Sequence, residues 1–403
     1  MTRNTLLWTV FILTASQGLI GQFAIHGVPL FLRAEGHSAT AIGLIYIAGT
    51  PYALRFLWAP LIDRYGQGRY GPYGTWIIAG QAVAFLILMS LIFTDAGASV
   101  IPIVICLAIA ITATGTQQVA TSAMMIQHLP ANAYARAASM QAAGSTSAGM
   151  ILGILVLYLL ADLGWATVII AIAALSLLLL TFVTVMVPLD RGQPSSAERT
   201  NLWAQIEIFK VPQARRLFIL ALMLSGGIIL PYGLKSVLLI DAGFSVSEGG
   251  LIGIVFGNLV GLVAAVAVRP VVDRFGGWAV LIAIGAVGAV VAGVSAYAFW
   301  MGFQNNMIVV GLVLAASALV FAGYTANRAI LMPLCKPGRL ATDFASFASF
   351  EAFAILLVAS FGAAALDGLG LSALLFIGAG VSVCGVLAAI LMMTAPSRGV
   401  ATQ

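Results

Sequence analysis

The chain has 403 residues, of which 62% are hydrophobic and 8% charged, with a formal net charge of +5. A water-soluble domain carries about 25% charged residues, so this composition excludes a soluble enzyme or binding module and makes the bilayer the solvent. The basic excess is no nucleic-acid footprint, because the Lys and Arg residues lie in short stretches between apolar segments.

A helix needs roughly 20 apolar residues to cross the hydrocarbon core. Twelve segments meet that need, at about 6–32, 40–62, 75–94, 100–129, 136–161, 165–189, 216–240, 248–269, 278–301, 307–334, 341–366 and 371–394. The sequence thus predicts an all-α membrane protein. The first segment is too long for a signal peptide and carries Gln17, Gln22, His26 and Pro29. The second ends in a charged turn, Arg55-Phe56-Leu57-Trp58-Ala59-Pro60-Leu61-Ile62-Asp63-Arg64-Tyr65-Gly66, with Arg69 following. A fainter copy of the turn, Val268-Arg269-Pro270-Val271-Val272-Asp273-Arg274-Phe275-Gly276, closes the eighth. Between the sixth and seventh lies the longest polar stretch, in which Leu202 to Phe209 reads as an amphipathic surface helix.

These features divide the chain into a six-helix half at 1–189, a linker at 190–215 and a second six-helix half at 216–403. Gly27 to Ile45 also parallels Gly233 to Ile252 in its run of Gly, loop and Gly-Leu-Ile. Arg3, Arg64, Arg69, Arg136, the linker bases, Arg269, Arg274, Lys336, Arg339 and Arg398 gather on one side, against Arg33 on the other. By the positive-inside rule both termini and the linker are expected in the cytoplasm. Cys106, Cys335 and Cys384 show no metal spacing, and no phosphate-binding Gly-rich loop, zinc motif or nucleophile elbow is present. The chain is therefore expected to be no enzyme, to bind no cofactor and no metal directly, and not to be driven by ATP.

Two six-helix halves in parallel repeat resemble the major facilitator superfamily, whose substrates bind between the halves near the midplane. Asp63-Arg64-Tyr65-Gly66 resembles that superfamily's Asp-Arg-x-Gly turn. The resemblance implies a gate at Asp63, Arg64, Asp273 and Arg274; a helix end is a natural partner for such an acid. The purely topological role of the basic residues is the alternative. Arg55 to Arg64, Thr75-Trp76-Ile77 with Gln81, and Gln17-Gly18-Leu19 are similar to the group of muropeptide permeases, acetyl-CoA transporters and inner-membrane siderophore permeases. The compact length resembles the siderophore permeases, of the rhizobactin and pyochelin type. That implies import of a siderophore or ferric siderophore across a bacterial inner membrane by a monomer. Where the group often has acids on helix four, this chain has Gln118 and Ser122. It also lacks the Gly-x-x-x-Gly-Pro pattern of drug antiporters in helix five.

Ionised groups inside a span face a cavity or a partner, since burial in lipid costs roughly 2.5–3.5 kcal/mol on insertion scales. Glu351 lies eight residues past Asp343, and Arg328 eight residues before Lys336, which places both about 12 Å into adjacent helices. They are expected to pair, either as a proton-coupled switch that frees Arg328 for an anion or as a permanent structural bridge. Arg55 lies at similar depth and either meets substrate or bonds to neighbouring carbonyls. Lys235, with Tyr232 one turn away, either meets an incoming anion or snorkels. Three interior bases against one acid favour an anionic substrate. Tyr324, Asn327, Gln118 and His26 complete the candidate contacts, and Phe344, Phe347, Phe350 and Phe353 read as a packing stripe, with flanking of an aromatic ligand as the alternative. A permease for muropeptide or another anionic metabolite, and a non-transporting sensor with a transporter fold, are the competing readings.

Overall fold

The computed structural model describes residues 3–28, 31–32, 45, 47–65, 70–94, 99–186, 204–303 and 305–394. Arg33, Gly66, Arg69 and the linker up to residue 203 lie outside the described residues, as does the side chain of His26. Among the described residues the secondary structure is helical throughout.

The N-terminal part comprises α1 (Arg3–Gln22), α2 (Thr50–Leu54), α3 (Ala59–Tyr65), α4 (Gly71–Leu91), α5 (Ile101–His128) and α6 (Tyr134–Met186). The C-terminal part comprises α7 (Pro212–Leu224), α8 (Gly226–Gly233), α9 (Lys235–Asp241), α10 (Val246–Gly250), α11 (Gly257–Phe275), α12 (Gly277–Trp300), α13 (Asn306–Leu331) and α14 (Leu340–Thr394). Seven helices among the described residues are long and apolar enough to cross a membrane, and α7 with α8 adds an eighth as one span bent by 63°.

The sequence ends one span at 161 and begins the next at 165, and both fall within the 53 residues of α6 and just beyond. At 1.5 Å per residue that is about 80 Å of helix in all, enough for two crossings. Its two ends run in opposite directions. Gly144 lies against Phe11, and Ala148 lies against Gly18 further along α1, so this end runs parallel to α1. Trp165 donates to the Leu91 carbonyl at the end of α4, whereas Ser176 accepts from Gln81 in its middle. In α14 the reversal is marked by Gly370, whose φ of 76° is open to glycine alone at little cost.

Two spans are broken where the site lies. Pro60 has no N–H to give the Phe56 carbonyl, and the second span tightens into a 3-10 turn at Arg55–Leu57 between α2 and α3. The break sets the buried Arg55 on an irregular turn rather than on a straight helix face. The seventh span breaks at Ser225, whose Oγ and backbone N–H both donate to the Ala221 carbonyl, at 2.7 and 3.1 Å. It breaks again at Leu234, just past Pro231.

The core sits in three clusters. One joins both parts at the charged-turn end, from Leu6, Ile62 and Tyr73 to Leu217, Leu281, Phe344 and Phe347. The second lies wholly in the N-terminal part, around Leu19, Leu88 and Ile169, and the third wholly in the C-terminal part, around Leu238, Val313 and Leu375. The described parts therefore share a core at the charged-turn end and keep separate cores at the other. A side contact continues upward where Gly149 and Gly153 meet α11 and the turn before it. A Cβ on them would lie 2.5 Å from the Asn258 amide nitrogen and 2.9 Å from Val255.

The linker differs from a surface helix. Ala204–Lys210 is a 3-10 helix docked on the C-terminal part, with Ile208 buried. Phe209 packs against Phe218, Phe347 and Phe350.

Candidate functional site

A chamber of about 200 Å³ lies just above the shared core cluster. Tyr52 and Arg55 reach it from the second span; Ser225, Tyr232, Tyr324, Asn327, Arg328, Phe347 and Glu351 reach it from the C-terminal part. Every interior cation lies over an aromatic ring of its own chain segment. The Arg55 guanidinium sits 3.9 Å from the Tyr52 ring centre, Lys235 Nζ 5.0 Å from Tyr232, and Arg328 4.8 Å from Tyr324. Tyr324 and Arg328 share one face of α13, whereas the other two pairs meet across the breaks in their spans; a cation over a ring face is attracted by its quadrupole, more so when desolvated.

Arg328 and Glu351 meet as depth-matching on adjacent helices predicts, with Nη2 2.7 Å from Glu351 Oε2. Asn327 donates to the other carboxylate oxygen at 2.6 Å. A second ring centre, Phe344, lies 4.9 Å from the Arg328 guanidinium. Arg55 Nη1 and the Tyr52 hydroxyl both donate to Gln118 Oε1, at 2.8 and 2.7 Å. Gln118 thus holds Arg55 in place. Tyr324 Oη reaches Gln141 Oε1 at 3.4 Å, and Gln141 Nε2 donates to Ser122 at 3.1 Å. This polar chain links α13 to α6 and α5 across the two parts.

Sequence reasoning singles out Arg55, Arg328, Tyr232, Tyr324, Asn327 and Glu351, and all six line the chamber. Gln118 stands behind Arg55, and Lys235 stands beyond Tyr232 toward the end with separate cores. Tyr52, Ser225 and Gln141 escape it. Tyr52 had a usable signal, since a Tyr also precedes Lys235 and Arg328 by one turn. Of the phenylalanine stripe, Phe344 and Phe347 are buried in the shared core while Phe350 and Phe353 are more exposed. The stripe is thus mainly packing, with Phe347 also touching the chamber.

At the charged-turn end Asp63 crosses from one part to the other. Its Oδ1 accepts from Tyr73 Oη and from the Ala341 amide, both at 3.0 Å. Its Oδ2 accepts from the Thr342 amide at 2.8 Å and the Thr342 hydroxyl at 2.7 Å. The carboxylate therefore caps the N-terminus of α14, where unpaired amides and the helix dipole favour an anion. Arg64 points outward over the Tyr65 ring. The second copy is arranged differently: Asp273 pairs with Arg269 within α11 at 3.3 Å, and Arg274 lies over Phe275. Arg339 pairs with Glu207 of the linker and with Asp343 of α14.

Residues 6–359 match the sequence profile of the Major Facilitator Superfamily. The chain belongs to that superfamily. Major facilitator proteins are transporters rather than enzymes, and this one is a multi-pass membrane protein expected to carry a small molecule. The anhydromuropeptide permease of Escherichia coli K12 is 24% identical over 331 residues, covering 80% of this chain and 66% of the permease, so just under two thirds of that relative is spanned. An uncharacterized protein of Haemophilus influenzae is 40% identical, over 65 residues and 16% of the chain. A bacterial homologue of the iron transporter ferroportin in its outward-facing state superposes with a TM-score of 0.72 at 15% identity, covering 97% of this chain and 99% of that one. The human organic anion transporter MFSD10 gives 0.74 at 13% identity, covering 96% and 100%. At such identities these structures share the major facilitator fold with this chain and nothing finer.

Proposed function

We propose that the protein is an alternating-access importer of an anionic siderophore, or of its iron complex, across a bacterial cytoplasmic membrane, driven by protons. In this reading twelve spans form two six-helix halves, 1–189 and 216–403, joined by a cytoplasmic linker at 190–215. The charged-turn end is the cytoplasmic end, as are both termini. Asp63 latches that end shut against α14, with Arg64, Asp273 and Arg274 as the other gate residues.

The observation that carries the reading is one chamber faced by arginines from both parts of the chain and by a single acid already held by one of them. A buried cation pair with one counter-ion attracts an anion and repels a free cation. Arg55, Arg328, Asn327, Tyr232 and Tyr324 contact the substrate. Gln118 fixes Arg55, Lys235 meets the anion on its way in, and His26 completes the set from the first span. Glu351 is the coupling group. Protonating it neutralises the only acid among the described residues of the chamber and releases Arg328 to the substrate.

Uptake of radiolabelled iron-siderophore complexes by a deletion strain and its complemented parent tests the reading. Complementation should restore accumulation, which a protonophore should abolish. Uptake that is equal in both strains overturns import of siderophores. A second reading, import of anhydromuropeptides, is favoured by the 24% identical permease. Labelled anhydromuropeptide in the same assay separates the two.

A further inference from the structure

Arg55 and Arg328 are 2% and 4% exposed. A guanidinium carries five N–H donors. Arg55 Nε has no acceptor, and neither Nε nor Nη1 of Arg328 has one. The Asn327 carbonyl oxygen is also unpartnered. Buried donors left this way are costly and unusual, and they invite a further acceptor. Arg328 Nη2 and Asn327 Nδ2 form a two-donor seat for one planar carboxylate, now filled by Glu351. Within the ion pair Glu351 is the exposed partner, at 26% against 5% for Arg328, so the acid lies on the open side of the base.

Tyr52, Ser225, Tyr232 and Tyr324 also face the chamber, and one side of the wall is apolar, formed by Ile228, Ile229, Leu281, Ile284 and Leu319 with the Phe218 ring. The cavity, about 200 Å³, lies below the roughly 300–1,000 Å³ of drug-sized sites. A bare metal ion would meet two guanidiniums and a carboxylate already paired.

We propose that the chamber selects a compact amphiphilic carboxylate. Its acid group takes the place of Glu351 on Arg328 and Asn327, its apolar body lies against Ile228 and Leu319, and Arg55 closes on it from the other part of the chain. The inference rests on the reading of this chamber as the transport site. Exchanging one carboxylate for another leaves the charge of the chamber unchanged only if the displaced Glu351 Oε takes up a proton. The charged and titratable groups that share the chamber with Glu351 are Arg328 and Tyr324 on α13, Tyr232 on α8, and Tyr52 and Arg55 from the second span. The permanent charges among them are cationic, so Glu351 is the group that accepts the proton. One proton enters with each monocarboxylate.

Calorimetry on the purified full chain tests this with benzoate as probe, benzamide as its neutral shape-mate and benzylamine as the cation. Titrations in buffers of different ionisation enthalpy count the protons. Benzoate should bind at least about tenfold more tightly than either comparison compound, because a buried charge pair would be left incomplete by both. Wild type should take up close to one proton, and Glu351→Gln should bind benzoate at least as tightly with none. Arg328→Gln should weaken benzoate by at least about tenfold. Arg55→Gln breaks no ion pair and provides a second arm if Arg328→Gln does not fold. Equal binding of benzamide, absence of benzoate binding to folded wild type, or unchanged benzoate affinity in Arg55→Gln overturns the proposal. Failure of siderophore uptake with benzoate binding intact overturns the siderophore reading alone.

Discussion

Glu351 is the residue on which the chamber's electrostatics turn. It satisfies one donor of Arg328 and one of Asn327, and among the described residues it is the only acid in the lining. Removing one partner of a buried ion pair leaves an uncompensated charge, at a cost of roughly 3–5 kcal/mol. Glu351→Ala should therefore destabilise the folded protein by about that much, read by thermal unfolding in detergent. Glu351→Gln keeps an acceptor for Arg328 and should cost less. Adding Arg328→Met to Glu351→Ala should restore part of the loss, because the stranded cation is gone; a double variant whose loss equals the sum of the two single losses would mean the two side chains act independently. This pairing was legible in the sequence because helical rise converts the eight-residue offsets from Asp343 and Lys336 into depth. The Arg55–Gln118 and Tyr324–Gln141–Ser122 contacts were not. They depend on how helices rotate and cross, and helices this uniformly apolar carry no amphipathic stripe that reports rotation.

At the scale of elements, the breaks in the second and seventh spans and the docking of the linker decide what the site can do. The sequence marks Pro60 and Pro231, but a proline alone does not say which way its span bends. The linker was legible as a separate amphipathic element, and its burial was not, because the ring partners of Phe209 lie on α7 and α14. Phe209→Ala removes three ring contacts from a half-buried position and should weaken docking by about 2 kcal/mol, below the cost for a fully buried Phe. Faster amide exchange over residues 204–210, with α12 unchanged, is the expected reading. The Arg339 hydrogen bond, and then its charge, hold the Glu207 carboxyl below its usual value. Its share of the docking is complete above the ordinary glutamate range, near ~4.3, and is lost as pH falls through the lowered folded value. Exchange over 204–210 should accordingly show an acid-side rise that Glu207→Gln abolishes.

For the whole molecule, the distribution of the core sets the direction of movement. One cluster ties the parts together at the charged-turn end, and two separate clusters leave them free to diverge at the other. Opening the closed end means parting Asp63 from Ala341 and Thr342, and Phe56 from Phe350, whose ring centres lie 5.5 Å apart. The repeat in sequence suggests two equivalent turns, but only the first spans the parts among the described contacts. Asp273 spends its charge on Arg269 one turn away. Equal motifs thus carry unequal loads, and a pair of isosteric variants measures the difference. Asp63→Asn keeps one acceptor oxygen, turns the other into an NH2 that faces a donor, and removes the charge that favours the N-terminus of α14. A charge at a partly buried helix end contributes up to ~2 kcal/mol, and one to two kcal/mol moves a two-state population by about 5–30-fold. Spin labels at Arg64→Cys and Lys336→Cys, in a background lacking Cys106, Cys335 and Cys384, report the separation at this end. Asp63→Asn should shift the distance distribution toward the longer, open population by that factor. Asp273→Asn should leave it where it is, because the bond it loses lies within α11. Equal shifts from the two variants would mean that the turns share the latch, and no shift from Asp63→Asn would mean that apolar packing at Phe56 and Phe350 keeps this end closed without it.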